Sequence, residues 1–247
     1  MKLVGVFAAT RWECDAVRRA VVVERRMHVG GTRCLVGRRG NSRLFLWRTG
    51  VGPVRSGTVS REALAGQPLD LAVSAGFACA LAPSQVGELL IGSEVVSLGA
   101  AGASSDQAVP CAAPYRAAAV DAARAAGVAA RAGRFVTTPR VVWRAEEKRR
   151  VAAETGAVGL DMESAAIGAV AAARGVPFLV VRAASDLVDE DLPLDFNLFL
   201  SPAGWTSGIV QCLLQPSSLG GLARLRRQTE LAAERTVRFW GAFLDAQ

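Results

Sequence analysis

Histidine is nearly absent: His28 is the only one in 247 residues. One imidazole cannot build a histidine-rich metal site, and it makes a Ser-His-Asp or Cys-His catalytic set improbable. In His28-Val29-Gly30-Gly31 it stands beside a turn signal and reads as a surface residue near a hairpin. Acid–base chemistry is therefore expected to rest mainly on carboxylates. Cysteine is sparse and scattered (Cys14, Cys34, Cys79, Cys111 and Cys212) with no CxxC spacing. An odd, unclustered set argues against a disulfide framework or a zinc site and for reduced thiols. No run of about 18 uncharged apolar residues occurs, so no transmembrane helix is expected. The opening Met1-Lys2-Leu3-Val4-Gly5-Val6-Phe7 is too short an apolar run for a signal peptide, and Arg11 and Glu13 follow at once. The expectation is a cytoplasmic protein. A Gly-rich phosphate cradle of the P-loop or GxGxxG type is missing, which counts against ATP and NAD; no cofactor and no metal are expected. Aromatic residues, 6 % of the chain, do not interleave with the basic ones, and no DNA-binding motif is present. The formal charge of +7 thus reads as solubility, not as a nucleic-acid surface.

What is there is an apolar chain, 51 % hydrophobic, in which strand-like and helix-like segments alternate. Residues 3–7, 71–75, 89–97, 157–160 and 178–183 read as strands; 33–39 and 43–48 read as a hairpin around Gly40-Asn41-Ser42. Residues 55–64, 117–126, 145–155, 164–174 and 222–244 read as helices, with Gly156 a C-cap of the third and Gly175 and Pro177 the stop signals of the fourth. This alternation predicts an α/β fold with a mainly parallel or mixed sheet covered by helices on both faces. The length fits one domain over 1–247, with a C-terminal helical extension over about 201–247.

In open α/β sheets ligands bind beyond the carboxyl ends of the strands. Acids collect there. Glu13 follows the first strand, Asp161 and Glu163 follow 157–160, and Asp186 follows 178–183. Each has an ordinary alternative: Asp161 as a helix N-cap, Glu163 as a complement to the helix dipole, Asp186 as a turn residue, Glu13 as a solvated first-turn acid. Their convergence suits glycosidic cleavage, whose transition state is oxocarbenium-like. One carboxyl protonates the leaving group, and another activates water on the opposite face.

Two segments carry a resemblance. Gly159-Leu160-Asp161-Met162-Glu163-Ser164-Ala165-Ala166 and Val176-Pro177-Phe178-Leu179-Val180-Val181-Arg182-Ala183-Ala184-Ser185-Asp186 resemble the purine nucleoside phosphorylase and methylthioadenosine/S-adenosylhomocysteine nucleosidase superfamily. Thr49-Gly50-Val51-Gly52, Leu81-Ala82-Pro83 and Val86-Gly87-Glu88-Leu89 add to it, and the likeness runs from about residue 1 to about 200. The resemblance implies a three-layer α/β/α sandwich with a central mixed sheet, usually in a dimer or larger assembly. It implies that Asp186 donates a proton to N7 of a departing adenine and that Glu13 holds the attacking water. Glu163 would bond the ribose hydroxyls, with Met162 and Val51 against the sugar and Ser185 among the substrate-binding residues. Val141 and Val142 would lie near the base, and Phe196 would cap the substrate. The sequence departs from the pattern at Val141-Val142, where an aromatic and an isoleucine are usual, and at Phe77 and Cys79, where serine and glycine are usual. Both Phe77 and Cys79 are taken as pocket residues. The resemblance places Ser74 and Phe77 where the related phosphorylases have an Arg and a Ser; losing that cation and hydroxyl favours water over phosphate as nucleophile.

Thr10-Arg11-Trp12-Glu13, Pro139-Arg140-Val141-Val142 and Leu192-Pro193-Leu194-Asp195-Phe196-Asn197 resemble, within that superfamily, the hopanoid-associated phosphorylase-like proteins. That resemblance implies removal of adenine from adenosylhopane, leaving ribosylhopane. A lipid-linked substrate would give a use to the basic last helix, where Arg224, Arg226, Arg227, Arg235 and Arg238 alternate with Leu and Trp240: peripheral contact with the inner membrane face. The plainer reading is a solvated helix packed on the sheet. A phosphate-dependent phosphorylase, a methylthioadenosine/S-adenosylhomocysteine nucleosidase and a non-catalytic nucleoside sensor remain as alternatives.

Overall fold

The computed structural model describes residues 1–99, 107–200 and 217–247. In chain order the strands are β1 (Lys2–Ala8), β2 (Val22–Val29), β3 (Thr32–Arg39), β4 (Ser42–Arg48), β5 (Leu71–Ala80), β6 (Leu89–Ser97), β7 (Val109–Pro110), β8 (Ala130–Thr137), β9 (Gly159–Asp161) and β10 (Phe178–Leu187). The helices are α1 (Arg11–Arg18), α2 (Pro53–Gly66), α3 (Ala113–Ala125), α4 (Ala145–Thr155), α5 (Ser164–Ala173) and α6 (Ser217–Asp245), with a short 3-10 helix at Phe196–Leu200.

The sheet is mixed. β1 pairs in parallel with β4 and β5, and β5 pairs in parallel with β10, so these four strands deliver their carboxyl ends to one edge. β10 also pairs antiparallel with β6, β6 pairs in parallel with β8 and β8 in parallel with β9, and β9 returns antiparallel to the end of β5. Strands β5, β10, β6, β8 and β9 thus close a ring, and β1, β4, β3 and β2 extend from it as an open sheet. Nothing in the strand-by-strand sequence pattern announces that closure, because it depends on the far half of β5 turning away from β1 toward β9. Expected as 71–75, β5 continues to Ala80 and carries Phe77 and Cys79 within the strand.

Alternation along the strands builds two cores. Val4, Val6 and Ala8 of β1, with Leu44 and Leu46 of β4, face α1, α3 and α6; Phe7, Phe45 and Trp47 face the other way, toward α2 and α5. Helices on both faces make the three layers of the expected sandwich. Local signals set the helix ends. Thr10 and Glu13 form a reciprocal capping box on α1, Pro53 sits in the first turn of α2, and Gly156 takes a left-handed φ of 62° after α4. In α6, Phe239, Trp240, Phe243 and Leu244 are wholly buried against the sheet, while Arg224, Arg226, Arg227 and Arg238 point outward. Trp240 therefore belongs to the core and is not a surface anchor. Residues 201–216 of the expected C-terminal extension, Cys212 among them, lie outside the described residues. His28 is exposed on β2, next to the hairpin turn, and Cys14, Cys34, Cys79 and Cys111 are free thiols. No helix among the described residues is long and apolar enough to cross a membrane.

Candidate active site

Arg182 is the only charged residue in an otherwise apolar stretch of β10, and it is 2 % exposed. A buried guanidinium needs partners for all its N–H groups. Its Nε pairs with Asp161 Oδ2 at 2.7 Å, and its Nη2 donates to Glu163 Oε2 at 3.2 Å and Ser74 Oγ at 3.0 Å. Nη1 donates to the Phe77 carbonyl at 3.0 Å and lies 3.7 Å from Glu13 Oε1. One cation thus gathers three acids from two distant stretches of the chain. With all of them ionised the group carries three negative charges against one positive.

Each acid is held by a different element. Glu13 is the capping-box acid of α1: its Oε2 accepts from Thr10 N at 2.7 Å and Thr10 Oγ1 at 2.8 Å, and its Oε1 accepts from Phe77 N at 2.8 Å. It is buried, which excludes the solvated first-turn acid that was its ordinary alternative. Asp161, the last residue of β9, accepts from Thr137 Oγ1 at 2.7 Å and from the N–H groups of Glu163 and Ser164, each at 3.1 Å. Its other oxygen meets Ser164 Oγ and Arg182. Asp161 is therefore a structural acid that caps α5 and anchors Arg182. Glu163 Oε1 accepts from Gly52 N at 2.8 Å, where a φ of +96° suits glycine. Burial pushes Glu163 up to about 7; Arg182 opposes this, Asp161 and Glu13 add to it, and the Gly52 N–H opposes it again. Burial would also lower Arg182, but the surrounding carboxylates outweigh it and hold the guanidinium above its ordinary value.

Asp186 stands apart from this cluster. The β10–β5 register shifts between Ala184 and Asp186, so Ser185 is an extra residue in a bulge and Asp186 lies opposite Cys79. Ser185 Oγ donates to Asp186 Oδ1 at 3.0 Å. Asp186 Oδ2 meets Lys148 Nζ of α4 at 2.6 Å, and Lys148 has no exposed surface. Burial, then the nearby Asp186 charge, push the Cys79 thiol well above its ordinary value. Cys79 is thus a neutral wall residue, not a nucleophile.

These side chains face one cavity of about 190 Å³. Glu13, Val51, Phe77 and Cys79 line it from α1, β5 and the turn after β4; Val141 and Val142 line it from the segment before α4. Met162 and Glu163, and then Ser185 and Asp186, complete the wall. A second space of about 400 Å³ adjoins it, sharing Val142. Phe196 is not among the residues lining the cavity; it opens the 3-10 turn, which Asn197 ties to the backbone of Val141 at 2.7 and 2.9 Å. Arg182 and Thr10 also face the cavity and had been given no role in the sequence. A lone arginine in an apolar strand was the available signal for Arg182. Lys148 gave none, because Glu146-Glu147-Lys148-Arg149-Arg150 reads as a solvated charged run. Among the described residues no group of three or more His, Cys, Asp and Glu is arranged to hold a metal ion.

Comparison with known proteins agrees with this geometry. The phosphorylase superfamily model matches residues 3–202. A 5′-methylthioadenosine/S-adenosylhomocysteine nucleosidase from Haemophilus ducreyi is 30 % identical over 213 residues, covering 81 % of this chain and 92 % of its own. The enzyme of that name from Geobacillus thermodenitrificans is 31 % identical over 217 residues, covering 81 % and 90 %. Among solved structures, the futalosine hydrolase of Helicobacter pylori superposes with a TM-score of 0.78 at 18 % identity, covering 100 % of this chain and 98 % of that one. The Neisseria meningitidis 5′-methylthioadenosine/S-adenosylhomocysteine nucleosidase, in complex with methylthio-immucillin-A, gives 0.77 at 20 % identity, with both chains fully covered. Ring-closed mixed sheet, carboxyl-edge acids and matched sequence over most of the chain together place this protein in the phosphorylase superfamily.

Proposed function

We propose that the protein hydrolyses the N-glycosidic bond of a 5′-substituted adenine nucleoside and releases adenine. The observation that carries this reading is the excess of carboxylate around Arg182. As the C1′–N9 bond breaks, its electron pair goes to the purine and positive charge develops on the ribose. A buried group of three acids and one cation favours that charge. Glu163 accepts hydrogen bonds from the ribose hydroxyls. Asp186 delivers a proton, taken up beforehand from solvent, to N7 of the base. Water adds to C1′ and passes its proton to Glu13, whose Oε1 keeps a lone pair beyond the one given to the Phe77 N–H.

Water is favoured over phosphate on charge. Among the described residues Arg182 is the one cation lining the cavity, and four of its five N–H groups are already taken, with Glu13 beside the other nitrogen position at 3.7 Å. A dianion entering there would meet acids and no free donor of positive charge.

For the 5′ substituent we propose a bulky apolar group, adenosylhopane giving ribosylhopane. Support comes from the hopanoid-type segments around Thr10, Arg140 and Asp195, and from two exposed apolar side chains a few residues along the chain from cavity-lining ones. Trp12 is 57 % exposed and Val54 81 % exposed, on the first turns of α1 and α2. Those are the helices that follow Thr10 and Val51 at the cavity wall. The outward arginines of α6 suit approach to an anionic bilayer. The test is a panel of adenosines with 5′ groups from hydroxyl and methylthio to long alkyl, assayed for free adenine with and without phosphate. Phosphate-independent release, faster with larger apolar groups, is expected. Release that requires phosphate would replace the hydrolase by a phosphorylase, tight binding without turnover by a sensor, and a sharp preference for methylthio by a methylthioadenosine nucleosidase.

A further inference from the structure

Lys148 has no solvent exposure, and its ammonium has three acceptors: Asp186 Oδ2 at 2.6 Å, the Glu190 carbonyl at 2.8 Å and the Leu187 carbonyl at 3.2 Å. A lysine ammonium has three donors and no acceptor, so this geometry uses all of it. Burial works against the charge, but the neighbouring Asp186 carboxylate outweighs it and raises Lys148 above its ordinary value. A surface ion pair would be worth little; a pair this deep is kept only when both partners are satisfied.

The placement is directional. Asp186 and Ser185 line the cavity, whereas Lys148 does not. Asp186 Oδ2 therefore faces away, into the wall formed by α4, and Oδ1, which meets the Ser185 hydroxyl at 3.0 Å, is the oxygen on the cavity side. A proton on Oδ2 would have to point at a group that only donates. We propose that Lys148 is a positioning residue that confines the acidic proton of Asp186 to Oδ1, aimed at the leaving base. The same ammonium ties the turn after β10 to α4 through Leu187 and Glu190, so it also fixes where that carboxyl sits. When the proton passes to the base and the C–N bond breaks, the carboxylate left behind already has its counter-ion.

This inference rests on Asp186 being the acid, and the experiment separates the two. Wild type, Lys148→Met, Lys148→Gln, Lys148→Arg and Asp186→Asn are assayed on adenosine carrying the preferred 5′ group and on p-nitrophenyl β-ribofuranoside. The second substrate loses p-nitrophenolate, which departs without being protonated. Lys148→Met is expected to lower kcat for the nucleoside by on the order of tenfold to a hundredfold, at or below the lower end of the usual worth of general acid catalysis, with KM little changed. It is expected to cleave the nitrophenyl riboside at close to the wild-type rate. Lys148→Gln, which keeps an N–H donor for the turn carbonyls and guards against a folding defect, is expected to show the same selective loss. Lys148→Arg is expected to recover most of the nucleoside activity. Wild-type kcat on the nucleoside in both neutral variants overturns the proposal, as does an equal loss on both substrates, which is what a merely structural lysine would give. If Asp186→Asn itself cleaves the nucleoside at full rate, the acid has been misassigned, and that failure is distinct from the failure of Lys148.

Discussion

An alanine at position 76 would ask a methyl group to occupy space that Glu13 already fills. A Cβ built on Gly76 lies 2.0 Å from Glu13 Oε1 and 2.6 Å from its carboxyl carbon, and the backbone φ of +153° is one that L side chains rarely adopt. Arg182 Nη1, at 3.1 Å, closes the other side. Ordinary contact begins near 3.4 Å, so the carboxylate would have to withdraw by roughly 1.4 Å. That displacement breaks the 2.8 Å bond from Phe77 N. Losing a hydrogen bond to a charged group costs about 1.5–3 kcal/mol, and overpacking a tight site costs about 1–3 kcal/mol more. Gly76→Ala should therefore destabilise the fold by roughly 2.5–6 kcal/mol. A group misplaced by about 1 Å can cost on the order of 10²-fold in rate. Adenine release by chromatography, with urea denaturation alongside, measures both. A Gly76→Ala protein with the wild-type rate and midpoint would refute the placement of Glu13 against β5.

Glu163 sets a pH dependence. Burial first, with Asp161 and Glu13 adding to it and Arg182 opposing, raises it to about 7, so below that pH its carboxyl is protonated and is a poorer acceptor for ribose hydroxyls. KM for the nucleoside should fall as pH rises through about 7, and Glu163→Gln should flatten that dependence; a parallel dependence in the variant contradicts the assignment. Stability runs the other way. An acid raised in the folded state binds its proton more tightly there, so its contribution is fully present below the ordinary value of 4.5 and is lost as pH rises through about 7. Glu163→Gln should gain stability relative to wild type between pH 5 and 8, by on the order of 3 kcal/mol at most, read from urea midpoints. Far from the site, Phe243→Ala should cost about 3–5 kcal/mol through the cavity left beside Phe239 and Trp240, with adenine release unchanged at 25 °C.

The sequence carried the layers and most of the cavity because those rest on local signals. Apolar runs bounded by glycine gave β1, β6 and β10, and Gly156 marked the end of α4 where the left-handed residue is found. Acids after strands pointed to Glu13, Glu163 and Asp186. The β2 strand was missed because Glu24, Arg25 and Arg26 leave it almost wholly exposed, as an edge strand can be. The ring closure was illegible because register between β5, β9 and β10 is a matter of long-range pairing. Arg182 and Lys148 show the difference between the two kinds of buried cation. One interrupts an apolar strand and can be noticed; the other sits in a charged helix segment, and only the fold turns it inward.

The central claim is that protonation of the purine by Asp186 lets it depart. Its most direct test is the single-turnover rate of adenine release from a 5′-substituted adenosine by Asp186→Asn beside the unchanged protein. The account predicts a fall of on the order of 10²–10⁴-fold with the nucleoside still bound. Release at the unchanged rate would contradict it.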